Sequence, residues 1–218
     1  MNQAGYRQIV THYEHCLEKH GDSHKGVDWP NEADALTRYR VMLDLIPTGE
    51  ACKLLDFGCG TARMVHFLQE QAEKDYSLVT YSGLDISARF ISVCREKYPQ
   101  LEFWQVDVLE DPASLPEFDY IVLNGVFTEK LGLSFDEMES YFQSLLCTVF
   151  AKAQKGIAFN VMSKAVDWER DDLFHLSADR LINFLVKNLS RHFVIRNDYG
   201  LYEYTTYVYK QPVVRGGK

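Results

Sequence analysis

Apolar positions recur at helical spacing twice near the start of the chain, and then give way to short strand-like runs. Tyr6, Ile9, Val10, Tyr13 and Leu17 predict a helix over residues 6–19, and Leu36, Tyr39, Leu43 and Ile46 a second over 33–46. Between them, GDSHKGVDWPNE is a polar loop broken by Gly and Pro, and Pro47-Thr48-Gly49 closes the second helix. From there the pattern alternates. Strands are predicted over 53–57, 78–84, 101–106, 119–123 and 156–161, and helices over 62–73, 88–97, 135–153 and 177–189, with Ser177 as a candidate N-cap. The run DYIVL at 119–123 is almost wholly apolar, as in a strand buried on both faces. Residues 192–198 and 202–209 flank Tyr199-Gly200 and predict a hairpin. Strand-helix alternation ending in one hairpin predicts an α/β fold, with a mainly parallel sheet and an antiparallel edge.

Composition narrows this picture. The chain has 218 residues, 46% of them hydrophobic, which suits one sizeable core. We expect an N-terminal helical lid or extension over 1–50, a main domain over 51–212 and a flexible tail over 213–218. The formal net charge is −8 and no block of Lys or Arg stands out, which argues against a nucleic-acid partner or an acidic membrane surface. Five cysteines are widely spaced with no C-x-x-C pair, so reduced thiols and no metal are expected. The first twenty residues lack the apolar core of a signal peptide and no apolar run is long enough to span a bilayer, so a cytoplasmic location is expected.

Candidate chemistry begins at KLLDFGCGTAR, residues 53–63. A strand runs into Asp56, then into a turn where Gly58 and Gly60 carry no Cβ and let backbone N–H groups approach a ligand at a helix start. Alone, the turn is a weak signal, with a tight strand-to-helix connection without a ligand as the alternative. Asp85, in GLDIS, ends the second strand, where a carboxylate can accept both hydroxyls of a ribose; the alternative is a helix N-cap, a place that Ser87 can fill. Asp107 ends the third strand, positioned for an exocyclic adenine amine or as an ordinary turn aspartate. Asn124-Gly125-Val126-Phe127 follow the fourth strand and open the floor of a cleft. Four strand ends on one edge of the sheet thus carry polar or glycine residues, and open α/β sheets bind ligands at that edge.

On these motifs the chain resembles the class I S-adenosylmethionine-dependent methyltransferases. LLDFGCGTAR matches the acid and Gly-x-Gly of their first motif, GLDIS the acidic strand end, Asp107 the adenine-side motif and FDYIVLNGVF the fourth-strand motif. The resemblance implies a Rossmann-like seven-stranded sheet of order 3-2-1-4-5-7-6, with strand 7 antiparallel and helices on both faces. It implies S-adenosyl-L-methionine as cofactor. Gly58, Cys59 and Gly60 would line its methionine part and Asp56 would anchor its amino group. Asp85 would hold the ribose hydroxyls, Ile86 would pack on the adenine, Asp107 and Val108 would sit at its rim, and Asn124 would offer its backbone carbonyl to the methionine end. The third glycine of many members is Ala62 here.

The reaction implied is methyl transfer to a small-molecule acceptor by in-line displacement, which needs alignment and water exclusion more than a fixed catalytic group. His175 is the candidate catalytic base, after the fifth strand; His12, His15 and His24 are weaker alternatives. Arg40, or Arg38 beside it, is a candidate partner for the cofactor carboxylate, against the alternative of a solvated helix face. Trp29 faces substrate or packs. Two further readings stay open: a non-catalytic S-adenosylmethionine-binding subunit, and an NAD-dependent dehydrogenase, in which the third glycine of G-x-G-x-x-G would fall on Arg63.

Overall fold

The computed structural model describes residues 5–71 and 75–213. The predicted tail beyond Val213, and the last residues of the helix predicted over 62–73, lie outside the described residues. Two helices open the chain, α1 (Arg7–His20) and α2 (Glu32–Leu43). The α1 helix ends at Gly21, whose positive φ lets its N–H return to the Leu17 carbonyl. Asn31 caps α2 by accepting from the Ala33 N–H at 2.9 Å. Between the helices, a 3-10 turn (Lys25–Val27) leads into Asp28, held in the left-handed region at φ 58.

The alternating part follows as β1 (Cys52–Phe57), α3 (Arg63–His66), β2 (Val79–Asp85), α4 (Ala88–Lys97), β3 (Glu102–Gln105), β4 (Phe118–Phe127), α5 (Phe135–Lys152), β5 (Ala153–Ser163), β6 (His175–Leu176), α6 (Ala178–Asn188), β7 (Phe193–Arg196) and β8 (Glu203–Tyr209). Ser87, Ser134 and Ser177 cap α4, α5 and α6, and Ser134 with Glu137 completes a capping box. The sheet order is β3-β2-β1-β4-β5-β8-β7, with β6 beside β5; pairing is parallel except where β8 runs antiparallel to β5 and β7. Allowing for the two-residue β6, which the pattern did not predict, this is the expected order with the expected reversed strand.

Both sheet faces are buried. Leu55, Ile121 and Ile157 face one core with α5 and α6, while their neighbours Leu54, Val122 and Ala158 face another with α2, α3 and α4. Two departures from expectation bear on the site. The helix after the glycine turn is one α turn, Arg63–His66, continued by a π turn at Phe67–Gln71. Strand β4 does not stop at Leu123 but runs to Phe127, with a register shift against β5 between Leu123 and Phe127, where Gly125 takes φ 79.

Candidate functional site

The carboxyl ends of β1, β2 and β4, together with the residues that follow β3, open into one cavity that α1 and the Val27–Trp29 loop cover. Asp56, Gly58, Cys59, Gly60, Asp85, Ile86, Asp107, Val108 and Asn124 all line it. The residues that pattern and spacing singled out at successive strand ends are therefore brought together. Tyr6, Tyr13, Trp29, Tyr39 and Tyr141 complete the walls. Trp29, left open between facing substrate and packing, packs on Tyr39 with ring centroids 5.8 Å apart and also lines the cavity.

Close approach explains the glycines. A Cβ on Gly58 would come within 2.7 Å of Val126, and one on Gly60 within 2.9 Å of Val27, and both residues have positive φ. The amides of the turn, however, are not free for a ligand. Gly58 and Cys59 donate to the Leu84 carbonyl at 2.7 and 3.0 Å, and Gly60 donates to Asp85 Oδ2 at 3.0 Å. The turn grants close approach, but the Gly58, Cys59 and Gly60 N–H groups are already engaged.

Asp85 also accepts from the Ser87 N–H at 2.9 Å, while Ser87 Oγ caps α4 and donates to Glu14 on α1. Burial pushes the Asp85 carboxyl up to about 6, against the pull of those backbone donors. Asp56 is almost fully buried and accepts from the Tyr81 hydroxyl at 2.9 Å. Burial raises it to about 7, with the Tyr81 bond opposing and the charge of Asp85 adding to the rise. Asp107 accepts from Tyr6 at 2.6 Å and from the Leu109 N–H at 3.2 Å, and Tyr6 is raised to about 12 by burial and then by Asp107. The side-chain oxygen of Asn124 is buried without a partner.

Two predicted residues stand apart. Arg40 is exposed on α2 and does not line the cavity. A two-residue step on a helix turns the side chain by about 200°, so it is Arg38 that faces inward, onto Trp29 and Glu203. His175 is buried in β6, with Nδ1 at 2.7 Å from the Ser163 carbonyl and Nε2 accepting from the Arg170 N–H at 3.3 Å. With both ring nitrogens engaged and no place in the cavity wall, it is a structural histidine. His12 pairs with Asp28 at 2.7 Å, and Cys16 brings a third donor atom within 4.8 Å, on the outside of the lid.

Sequence reasoning missed Tyr81 and the pairing of Tyr6 with Asp107. A tyrosine within β2, one strand over from Asp56, was the available signal for the first. The second is made only by the docking of α1.

The cavity's chemistry discriminates between cofactors. Among the described residues, no Lys, Arg or His lines it, whereas three carboxylates do. A dinucleotide pyrophosphate would meet negative charge and spent amides. A ligand with a sulfonium and an ammonium meets complementary charge, and the Asn124 side-chain oxygen is buried without a partner. The residues present fit S-adenosyl-L-methionine.

A family model described as a methyltransferase domain matches residues 55–145. The chain is 24% identical over 168 residues to Rv1506c of Mycobacterium tuberculosis (strain ATCC 25618 / H37Rv), which carries a provisional methyltransferase name; the match covers 76% of this chain and 98% of that protein. It is 28% identical over 110 residues to the ubiquinone/menaquinone biosynthesis C-methyltransferase UbiE of Campylobacter jejuni subsp. jejuni (strain 81-176), covering 48% of this chain and only 47% of that relative. The magnesium protoporphyrin IX methyltransferase ChlM of Synechocystis PCC 6803, solved with bound SAH, superposes with a TM-score of 0.59 at 13% identity, covering 94% of this chain and 99% of that one. That likeness is one of fold. No helix among the described residues is long and apolar enough to cross a membrane.

Proposed function

Since the chain is a class I S-adenosylmethionine-dependent methyltransferase, we propose that it methylates a small, non-anionic acceptor entering between α1, the Trp29 loop and the end of β4. The observation that carries this reading is the convergence of three carboxylates and two positive-φ glycines in one lid-covered cavity without a cationic side chain among the described residues.

When bound, S-adenosyl-L-methionine supplies a methyl group already activated by its sulfonium. The chain's own part is to bind, align and exclude water. Asp85 keeps lone pairs beyond those used by Gly60 and Ser87, and these take the ribose hydroxyls. Asp56, fixed by Tyr81, places negative charge below the glycine turn for the ammonium group. Ile86 and Val108 flank the adenine, with Asp107 at its rim. Val27, Trp29, Tyr39 and Val126 wall the methionine end and keep water out. Arg40, outside the cavity wall, takes no part in holding the cofactor carboxylate.

No histidine faces the cavity among the described residues, so the acceptor's nucleophile is one that loses its proton readily, or after attack, without a dedicated imidazole. The absence of lysine and arginine from the described walls disfavours acceptors bearing phosphate or several carboxylates. Tyrosine and tryptophan walls favour a flat or apolar body.

Two assays test the proposal. S-adenosylhomocysteine should raise the melting temperature and NAD should not, since only a ligand of the native state stabilises it. Methyl-labelled cofactor incubated with a metabolite extract should then label a small apolar compound. Stabilisation by NAD alone would sink the cofactor reading. Cofactor binding with no labelled product in a broad extract would favour the non-catalytic subunit.

A further inference from the structure

Behind the end of β4 lies a buried polar circuit that the reading above does not use. Asn160 of β5 is fully buried; its Oδ1 accepts from the Gly125 N–H at 2.8 Å and its Nδ2 donates to Glu203 Oε1 at 2.9 Å. Glu203, the first residue of β8, is 1% exposed and receives Arg38 Nε on both oxygens at 2.8 and 3.0 Å. The Arg38 guanidinium lies 4.6 Å from the Trp29 ring centroid. Trp29 returns to the start of the circuit, since a Cβ on Gly125 would stand 3.2 Å from its ring.

Three arguments give this circuit a purpose. The register shift between Leu123 and Phe127 takes Gly125 out of the regular ladder, so its N–H needs a side-chain acceptor. The orientation of the Asn160 amide is unambiguous, because a carboxylate only accepts and a backbone N–H only donates: Nδ2 must face Glu203 and Oδ1 must face Gly125. The Asn124–Gly125 peptide is trans, so turning its N–H toward Asn160 turns the Asn124 carbonyl the opposite way. Asn160 does not line the cavity and Asn124 does. A buried Arg–carboxylate pair contributes little stability against an apolar replacement, which leaves geometry as the reason for this one.

We propose that Asn160 is a positioning residue that aims the Asn124 carbonyl at the methionine end of the cofactor. Glu203 and Arg38 lock its amide in that orientation, and Arg38 at the same time fixes Trp29 as the wall over the same peptide. The α2 lid segment, strand β8 and the cofactor floor are thereby set by one circuit. This inference rests on the S-adenosylmethionine reading above.

The test compares S-adenosylhomocysteine with adenosine, which lacks the homocysteine end, by calorimetry on the full chain. In N160D one oxygen still faces Gly125, but the other confronts Glu203. We expect S-adenosylhomocysteine to bind about tenfold more weakly, the scale of one lost charge-assisted hydrogen bond, while adenosine binds within about twofold of the unaltered chain. The double variant N160D/E203Q restores a donor opposite the introduced carboxylate and should recover S-adenosylhomocysteine to within about threefold. Unchanged S-adenosylhomocysteine affinity in N160D, parallel weakening of both ligands, or no recovery in the double variant would each overturn the proposal. If N160D does not fold, N160S is read by the same ratio of the two affinities. Failure of the unaltered chain to bind either ligand removes the cofactor reading itself, and this inference with it.

Discussion

Two buried carboxylates without a cation between them make the free protein carry a cost at neutral pH, and Asp56→Asn exposes it. Burial raises Asp56 from 3.8 to about 7, with Asp85 adding to the rise and Tyr81 opposing it. Below about pH 4 the carboxyl is protonated in both folded and unfolded chains and costs nothing. Between about 4 and 7 the unfolded chain ionises while the folded one holds its proton, so stability falls as pH rises. Above about 7 the full cost is present. A pKa rise of about three, at about 1.4 kcal/mol each, sets a ceiling of about 4 kcal/mol. Relaxation and water penetration at the site reduce this, and we take about 2 kcal/mol as the working figure. The amide oxygen introduced by the substitution would still accept from the Tyr81 hydroxyl, so charge is removed with little change of shape. Urea unfolding across a pH series from mildly acidic to mildly alkaline measures the difference. D56N should gain about 2 kcal/mol over the unaltered chain at about pH 8 and progressively less toward about pH 5, while losing affinity for S-adenosylhomocysteine. A pH-independent difference, or a D56N chain less stable on the alkaline side, would refute the argument that Asp56 is an uncompensated buried charge.

The other expectations are smaller. Asp85→Asn should weaken S-adenosylhomocysteine binding about tenfold or more and also lower the melting temperature of the free chain, because Gly60 and Ser87 donate to different carboxylate oxygens and the amide NH2 leaves one of those buried N–H groups without an acceptor; calorimetry beside a thermal melt checks both halves. Gly60→Ala should cost about 1–2 kcal/mol from its left-handed backbone, plus a clash with Val27 that Val27→Ala in the same chain relieves, as unfolding of the single and double variants would show. His175→Ala should destabilise by about 1–3 kcal/mol through its two lost hydrogen bonds and leave S-adenosylhomocysteine affinity unchanged; a selective loss of binding would return it to the site. Arg40→Ala should change neither melting temperature nor affinity, in keeping with its exposed place on α2.

Local chemistry was legible where neighbours in sequence are also neighbours in space. The apolar run at 119–123 marked a strand buried on both faces, as β4 is, and Ser87 and Ser177 cap the helix starts expected of them. Asp56, Gly58, Gly60, Asp85, Asp107 and Asn124 were readable as a set because a parallel sheet delivers every strand end to the same edge. What depends on contacts across the chain was not readable. Tyr6 reaches Asp107 from 101 positions away and Arg38 reaches Glu203 from 165, and nothing in a local window carries either pairing. Arg38 and Arg40 are alike as letters, and only the docking of α2 decides which faces the sheet. His175 has the place in sequence of a catalytic base, but the short strand β6 turns it into the core and spends both its nitrogens. The sequence by itself determined the alternation and the strand ends, because these follow from short-range periodicity and backbone freedom, and its motifs carried the resemblance that implied the cofactor. Only the tertiary structure decided which amides were already spent, which cation was absent from the described walls and which side chains aim the floor of the cavity, because those are settled by packing between elements far apart along the chain.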